Sequence, residues 1–133
     1  MSLPPVEILR AGCDAFNRGD YDSWLVTFAD DVEVHDLAET PDTGVFYGHA
    51  GVRAWLAKLQ EAWGDGFRFE PRSFTEGDGV VVADVRACAT GIGGGVPIDM
   101  SVHLAFRLRD RKIVWTQGFL NRGAALRAVG LRE

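Results

Sequence analysis

The chain has only two cysteines, Cys13 and Cys88, and they stand far apart. Two thiols cannot build a zinc ribbon, and without an export signal they are expected to stay reduced in the cytoplasm. Basic charge is also scarce. Fourteen Lys and Arg face nineteen Asp and Glu, for a net charge of -5, and no basic cluster occurs. That excludes the electrostatic footprint of a nucleic-acid binder and the polybasic patch of a peripheral membrane protein. No apolar run reaches the length of a membrane span, and the opening Met1-Ser2-Leu3-Pro4-Pro5 lacks the basic and hydrophobic regions of a secretory signal. There is no internal repeat, no nucleophile elbow, no phosphate loop and no dinucleotide fingerprint. The glycine-rich stretch Gly91 to Gly95 joins two strands rather than opening a helix, so it makes a poor phosphate cradle. The three histidines, His35, His49 and His103, show no zinc-motif spacing, and neither a metal nor a cofactor is expected.

What remains is a chain of 133 residues, 47% hydrophobic and 25% charged, the mix of one folded domain over residues 1–133. Val6, Leu9, Cys13 and Phe16 form the stripe of an amphipathic helix from Pro5 to Arg18, and Gly19 suits its left-handed end. Asp20 can cap a second helix running to Ala29. Val32 to Leu37 alternates like a short strand, and Ala38 to Gly48 reads as a loop. Val52, Trp55, Leu56, Leu59 and Trp63 trace a third helix from His49, with Gly64 ending it. Four strands follow: Phe67 to Glu76, Val80 to Thr90, Val96 to Arg109 and Ile113 to Leu120. Asn121 can cap a last helix closed by Gly130 and Leu131. This order predicts an α+β fold whose sheet curls around the first and third helices, with Pro71 and the glycine-rich turn as sites of bulge or bend.

Alternation sorts the sheet into two faces. Val81, Ala83, Val85, Ala87 and Ala89 share one, with Met100, Val102, Leu104, Phe106 and Leu108 beside them. Such small residues opposite aromatic helices leave space. Either Trp24, Phe28, Trp55 and Trp63 fill it, or it is an apolar pocket for a small ligand. The other face carries Asp84, Arg86, Cys88 and Thr90 beside Ser101, His103, Ala105 and Arg107, and is either solvated or a dimer interface.

Asp36 is the most informative polar residue, because alternation places it on the face of Val32 and Val34. A carboxylate there is desolvated, which raises its pKa and makes it a general acid/base; alternatively, it caps the following loop. His35 points to the opposite face, and His103 to the outer one. His49 reads as a structural residue at a helix start. Cys13 belongs to a packing stripe, and Cys88 faces outward with no histidine near it in sequence.

The segments Phe16-Asn17-Arg18-Gly19-Asp20-Tyr21-Asp22 and Phe28 to Asp36 resemble the opening of SnoaL-like proteins of the NTF2-like superfamily. Pro41 to Arg53 resembles their strand-loop-helix segment, and Leu108 to Val114 and Ala125 to Leu131 their last hairpin and tail. The resemblance implies a cone with a pocket at its wide end, a curved, mostly antiparallel sheet and a homodimer through the outer sheet face. It also implies a small hydrophobic ligand, ketone-type or polyketide-like, handled either by an isomerase or cyclase or by a non-catalytic binding protein. Asp36 matches the general base of ketosteroid isomerases, while their oxyanion-hole positions fall on Gly12 and Leu104 and a frequent tyrosine on Phe119. The expected pocket residues are Phe16, Trp24, Phe28, Tyr47, Trp55, Leu59, Ala83, Val85, Val102, Leu104, Phe106 and Thr116.

Overall fold

The computed structural model describes residues 4–41, 43–64, 66–89 and 97–132. Pro5 opens helix α1 (Pro5–Asn17), where a missing N–H is harmless, and the helix buries Leu9, Gly12, Ala15 and Phe16. It closes at Gly19, whose φ of 77° lets the Asp20 N–H reach the Ala15 carbonyl at 2.9 Å. Asp20 then caps α2 (Tyr21–Leu25), its side chain accepting from the Ser23 N–H at 3.3 Å.

Helix α2 ends four residues short of the expected Ala29. Phe28 and Ala29 instead begin β1 (Phe28–His35). The sheet ladder takes them: Phe28 pairs in parallel with Ile113, and the Ile113 N–H donates to Thr27 at 2.9 Å. The exposed pair Asp30-Asp31 lies within a register shift between Phe28 and Glu33, an irregularity inside the strand, which therefore starts before the expected Val32. Within the expected loop, β2 (Val45–Tyr47) pairs with β1, and helix α3 (Gly48–Trp63) follows, ending at Gly64 with φ 82°.

The long strands are β3 (Arg68–Gly77), β4 (Val80–Ala89), β5 (Ile98–Arg109) and β6 (Lys112–Phe119), followed by α4 (Arg122–Ala128). The order across the six-stranded sheet is β2-β1-β6-β5-β4-β3, antiparallel throughout except for β1 against β6. This is the α+β architecture expected. Register shifts at Pro71/Ser73 and Arg107/Leu108 supply bends. Thr90, the turn at Gly91–Gly95 and the start expected at Val96 lie outside the described residues.

The concave face carries Val81, Ala83, Val85 and Ala87, paired with Phe106, Leu104, Val102 and Met100, and faces α1, α2 and α3. On the convex face, α4 packs Ala125, Leu126 and Val129 onto Val80, Val82, Ala105 and Phe119. Asn121 caps α4 through the Ala124 N–H at 2.9 Å, and the Leu131 N–H returns to Leu126 at 2.8 Å past Gly130, φ 77°. Among the described residues no helix is long and apolar enough to cross a membrane.

Candidate functional site

Between α3 and the concave sheet lies a cavity of about 350 Å³, within the roughly 300–1,000 Å³ typical of small-ligand sites. Trp55, Leu59 and Trp63 of α3 form one wall, and Ala87, Val102 and Leu104 the other. The sheet wall can recede because its side chains are small. At Gly118 there is none, and a Cβ would stand 3.3 Å from both Leu104 and Leu37. The polar side chains Asp36, Lys58 and Thr40 also border the cavity.

Asp36 follows the last residue of β1 and is buried, 7% exposed. Its backbone is pinned twice: its N–H donates to the Gly44 carbonyl at 3.0 Å, and its carbonyl accepts from Gln117 Nε2 at 3.2 Å. Its Oδ2 accepts from the Gly44 N–H at 2.9 Å and from Lys58 Nζ at 2.6 Å. A Cβ at Gly44 would meet that oxygen at 3.1 Å, so glycine allows the close approach. Among the described residues Oδ1 takes no hydrogen bond, and no fully buried side-chain oxygen is left without a partner. Asp36 borders the cavity, and its Oδ2 caps the following loop through Gly44, the second of the two readings.

Deeper in, Phe16, Trp24 and Phe28 stack edge to face, with centroids 5.1 Å and 5.2 Å apart, and leave a second void of about 80 Å³. Trp55 and Phe69 border both spaces and lie nearly parallel, 13° between planes and 6.4 Å between centroids. Asn17 fixes Phe69 by donating to its carbonyl at 2.7 Å and accepting from its N–H at 3.0 Å. Cys13 lines the inner void, and burial pushes its thiol up to about 11 despite the nearby Arg10, which makes it a poor nucleophile. The aromatic side chains thus fill the inner end and leave the outer end open.

Leu59 and Val102 line the outer cavity, Phe16, Trp24, Phe28, Phe106 and Thr116 the inner void, and Trp55 and Leu104 both. Ala83 and Val85 are 1% and 2% exposed, core residues that reach neither space. Tyr47 stands outside, 64% exposed. Its neighbour Phe46 pairs with inward-facing Val34, so alternation turns Tyr47 to the other side with Glu33. His35 borders both spaces, but its Nε2 is 3.1 Å from Glu33 and its ring 5.7 Å from Trp115, on the convex side. His49 Nε2 donates to the Phe28 carbonyl at 2.8 Å, which ties the start of α3 to β1. Among the described residues no three His, Cys, Asp or Glu side chains converge as metal ligands.

Lys58 was missed by the sequence reading. The signal was present: Trp55, Lys58, Leu59 and Ala62 stand at i, i+3, i+4 and i+7, the spacing of one helix face. A lysine inside that stripe reads as a solvated edge until Asp36 is placed opposite it.

A curved sheet wrapped over helices, with an apolar cavity bordered by a buried carboxylate, defines a class of small-molecule pocket folds. The SnoaL-like domain family matches residues 9–116, and the chain belongs to that family. No curated protein matches the chain. Among solved structures, TerC co-crystallised with polyporic acid is 24% identical, with 92% of this chain and 95% of that one covered and a TM-score of 0.78. A candidate polyketide cyclase from Xanthomonas campestris is 25% identical, over 88% and 90% of the two chains, TM-score 0.68. A Catenulispora acidiphila protein with a ketosteroid isomerase-like fold, in complex with trimethylamine, is 17% identical, over 94% and 93%, TM-score 0.73.

Proposed function

We propose that this chain binds a small hydrophobic molecule, ketone-type or polyketide-like, in the outer cavity. Asp36 isomerises or cyclises it as general acid/base, without a cofactor. The observation that carries this reading is the division of labour within one carboxylate. Oδ2 is held by Lys58 and Gly44 at the cavity wall, while Oδ1 takes no hydrogen bond among the described residues. A fixed carboxylate with one free oxygen beside an apolar space is suited to taking a proton from carbon next to a carbonyl and returning it elsewhere. The likeness to a candidate polyketide cyclase and to a protein co-crystallised with polyporic acid supports this substrate class.

The test is Asp36→Asn, assayed on a panel of cyclic ketones and aromatic polyketides. The variant keeps its fold and binds ligand, and turnover falls by about 10²-fold or more. Unchanged turnover overturns the catalytic role. A non-catalytic binding protein is the second reading, favoured by Gly12 and Leu104 at the positions that the resemblance matches to isomerase oxyanion-hole donors. It predicts ligand-induced stabilisation with no product from any member of the panel. In either case the protein acts as a cytoplasmic homodimer through the convex sheet around His103 and Arg86, which sedimentation equilibrium checks.

A further inference from the structure

The loss of a proton from a ketone leaves negative charge on oxygen, and the positions matched to isomerase oxyanion donors hold Gly12 and Leu104, which offer no side-chain hydrogen-bond donor. Among the described residues the cavity wall carries one Lys or Arg, Lys58. Lys58 Nζ lies 2.6 Å from Asp36 Oδ2 and 5.6 Å from the centre of the Phe46 ring, and its side chain is 55% exposed. An ammonium has three donors, and the carboxylate occupies one. We propose that Lys58 is a catalytic residue that holds the ligand's oxygen as it becomes anionic, so that the site takes ketones, enols or acidic phenols with that oxygen at the Asp36–Lys58 end.

This rests on Asp36 being the proton acceptor, and the charge accounting follows from it. Before transfer, the carboxylate neutralises Lys58 and the ligand is neutral. The ligand's C–H bond then breaks, its proton forms an O–H bond on Asp36 Oδ1, and the electron pair moves through carbon to the carbonyl oxygen. Asp36 is now neutral, and the ammonium, already in place, faces an enolate. The total charge is unchanged, and the cation loses its old partner at the moment the new one forms. Pre-set charge of this kind favours the enolate over the ketone, as rate acceleration requires. The proton is afterwards returned from Oδ1 to another carbon.

The experiment uses a cyano-substituted naphthol, whose anion absorbs to the red of the neutral molecule, and methoxynaphthalene, which cannot ionise. In Asp36→Asn the carboxylate charge is gone, as it is after proton transfer. That variant is expected to bind the naphtholate about tenfold more tightly than the parent, the lower range for a charge-assisted hydrogen bond. Asp36→Asn/Lys58→Met loses this gain and the red-shifted band of the bound anion, while Asp36→Asn/Lys58→Arg keeps both. Methoxynaphthalene binds all variants alike. Should Asp36→Asn fail to fold, Lys58→Met alone is titrated. It is expected to weaken naphtholate binding about tenfold and to spare methoxynaphthalene. Equal naphtholate affinity with and without Lys58 overturns the proposal, as does a parallel loss of methoxynaphthalene, which would make Lys58 a packing residue. These outcomes are read by absorbance. The acid/base reading of Asp36 is read by turnover, so the two can fail separately.

Discussion

The two faces of the sheet are built from similar residues to different ends. On the convex side Ala125 and Leu126 are 0% and 1% exposed against Val82 and Ala105, both 0% exposed, and the contact is solid. On the concave side equally apolar residues leave about 350 Å³ open. An unfilled space deprives its lining of contacts and lowers stability. The small convex cluster offsets that loss, and so does the locked aromatic set of Phe16, Trp24, Phe28 and Phe69 at the inner end. Stability and binding capacity are therefore separable by face, and substitutions on each should report on one property.

The largest expected effect is at Leu126. Leu126→Ala opens a cavity in the solid face and should lower the unfolding free energy by about 2–5 kcal/mol in urea denaturation. A loss under about 1 kcal/mol would show that face to be loosely packed. Ala87→Leu is the opposite experiment, since its side chain extends into the open space. Unfolding stability should stay within about 1 kcal/mol of the parent, because the added carbons meet a void rather than packed atoms. Affinity for methoxynaphthalene should fall about tenfold, a change worth about 1.4 kcal/mol. Unaltered affinity would place the ligand elsewhere.

The smallest effect concerns the polar part of the convex face. Burial pushes the Asp84 carboxyl up, but hydrogen bonds from His103, Ser73 and Arg122 together outweigh it and hold the group below the usual carboxylate range. A carboxyl depressed in the folded state contributes stability that is complete above its unfolded value and is lost as pH falls through the folded one. Asp84→Asn should therefore lower Tm at neutral pH, and the gap from the parent should shrink below about pH 4. A gap that widens on acidification would contradict this sign.

Much of this division was legible in the chain itself. Period-two alternation separates Ala83, Val85 and Ala87 from Asp84 and Arg86 without coordinates, and helical spacing places Trp55 and Leu59 together. What alternation cannot supply is depth. Ala83 and Ala87 share a face and a size and are equally buried, yet only Ala87 lines the cavity. Tyr47 was misplaced for a related reason. A three-residue strand is too short to reveal its period inside a loop rich in Pro and Gly, and its register comes from pairing with β1. Helix α2 is shorter than its local sequence pattern predicts because Phe28 pairs with Ile113, far along the chain. Lys58 was legible as part of a helix face, but its role depends on a carboxylate twenty-two positions earlier.

The parallel pairing of β1 with β6 has a further consequence for how the protein is made. Asp36 sits at the end of a strand whose partner is 81 positions downstream, where Gln117 holds the Asp36 carbonyl. While the chain emerges from the ribosome, the β3–β5 meander can associate early, since its strands pair with their sequence neighbours. The edge that carries the carboxylate cannot dock until Lys112 to Phe119 has been synthesised. The Asp36 carboxylate is therefore among the last parts to reach its place, and a chain truncated before β6 would lack the Gln117 contact that holds the Asp36 carbonyl.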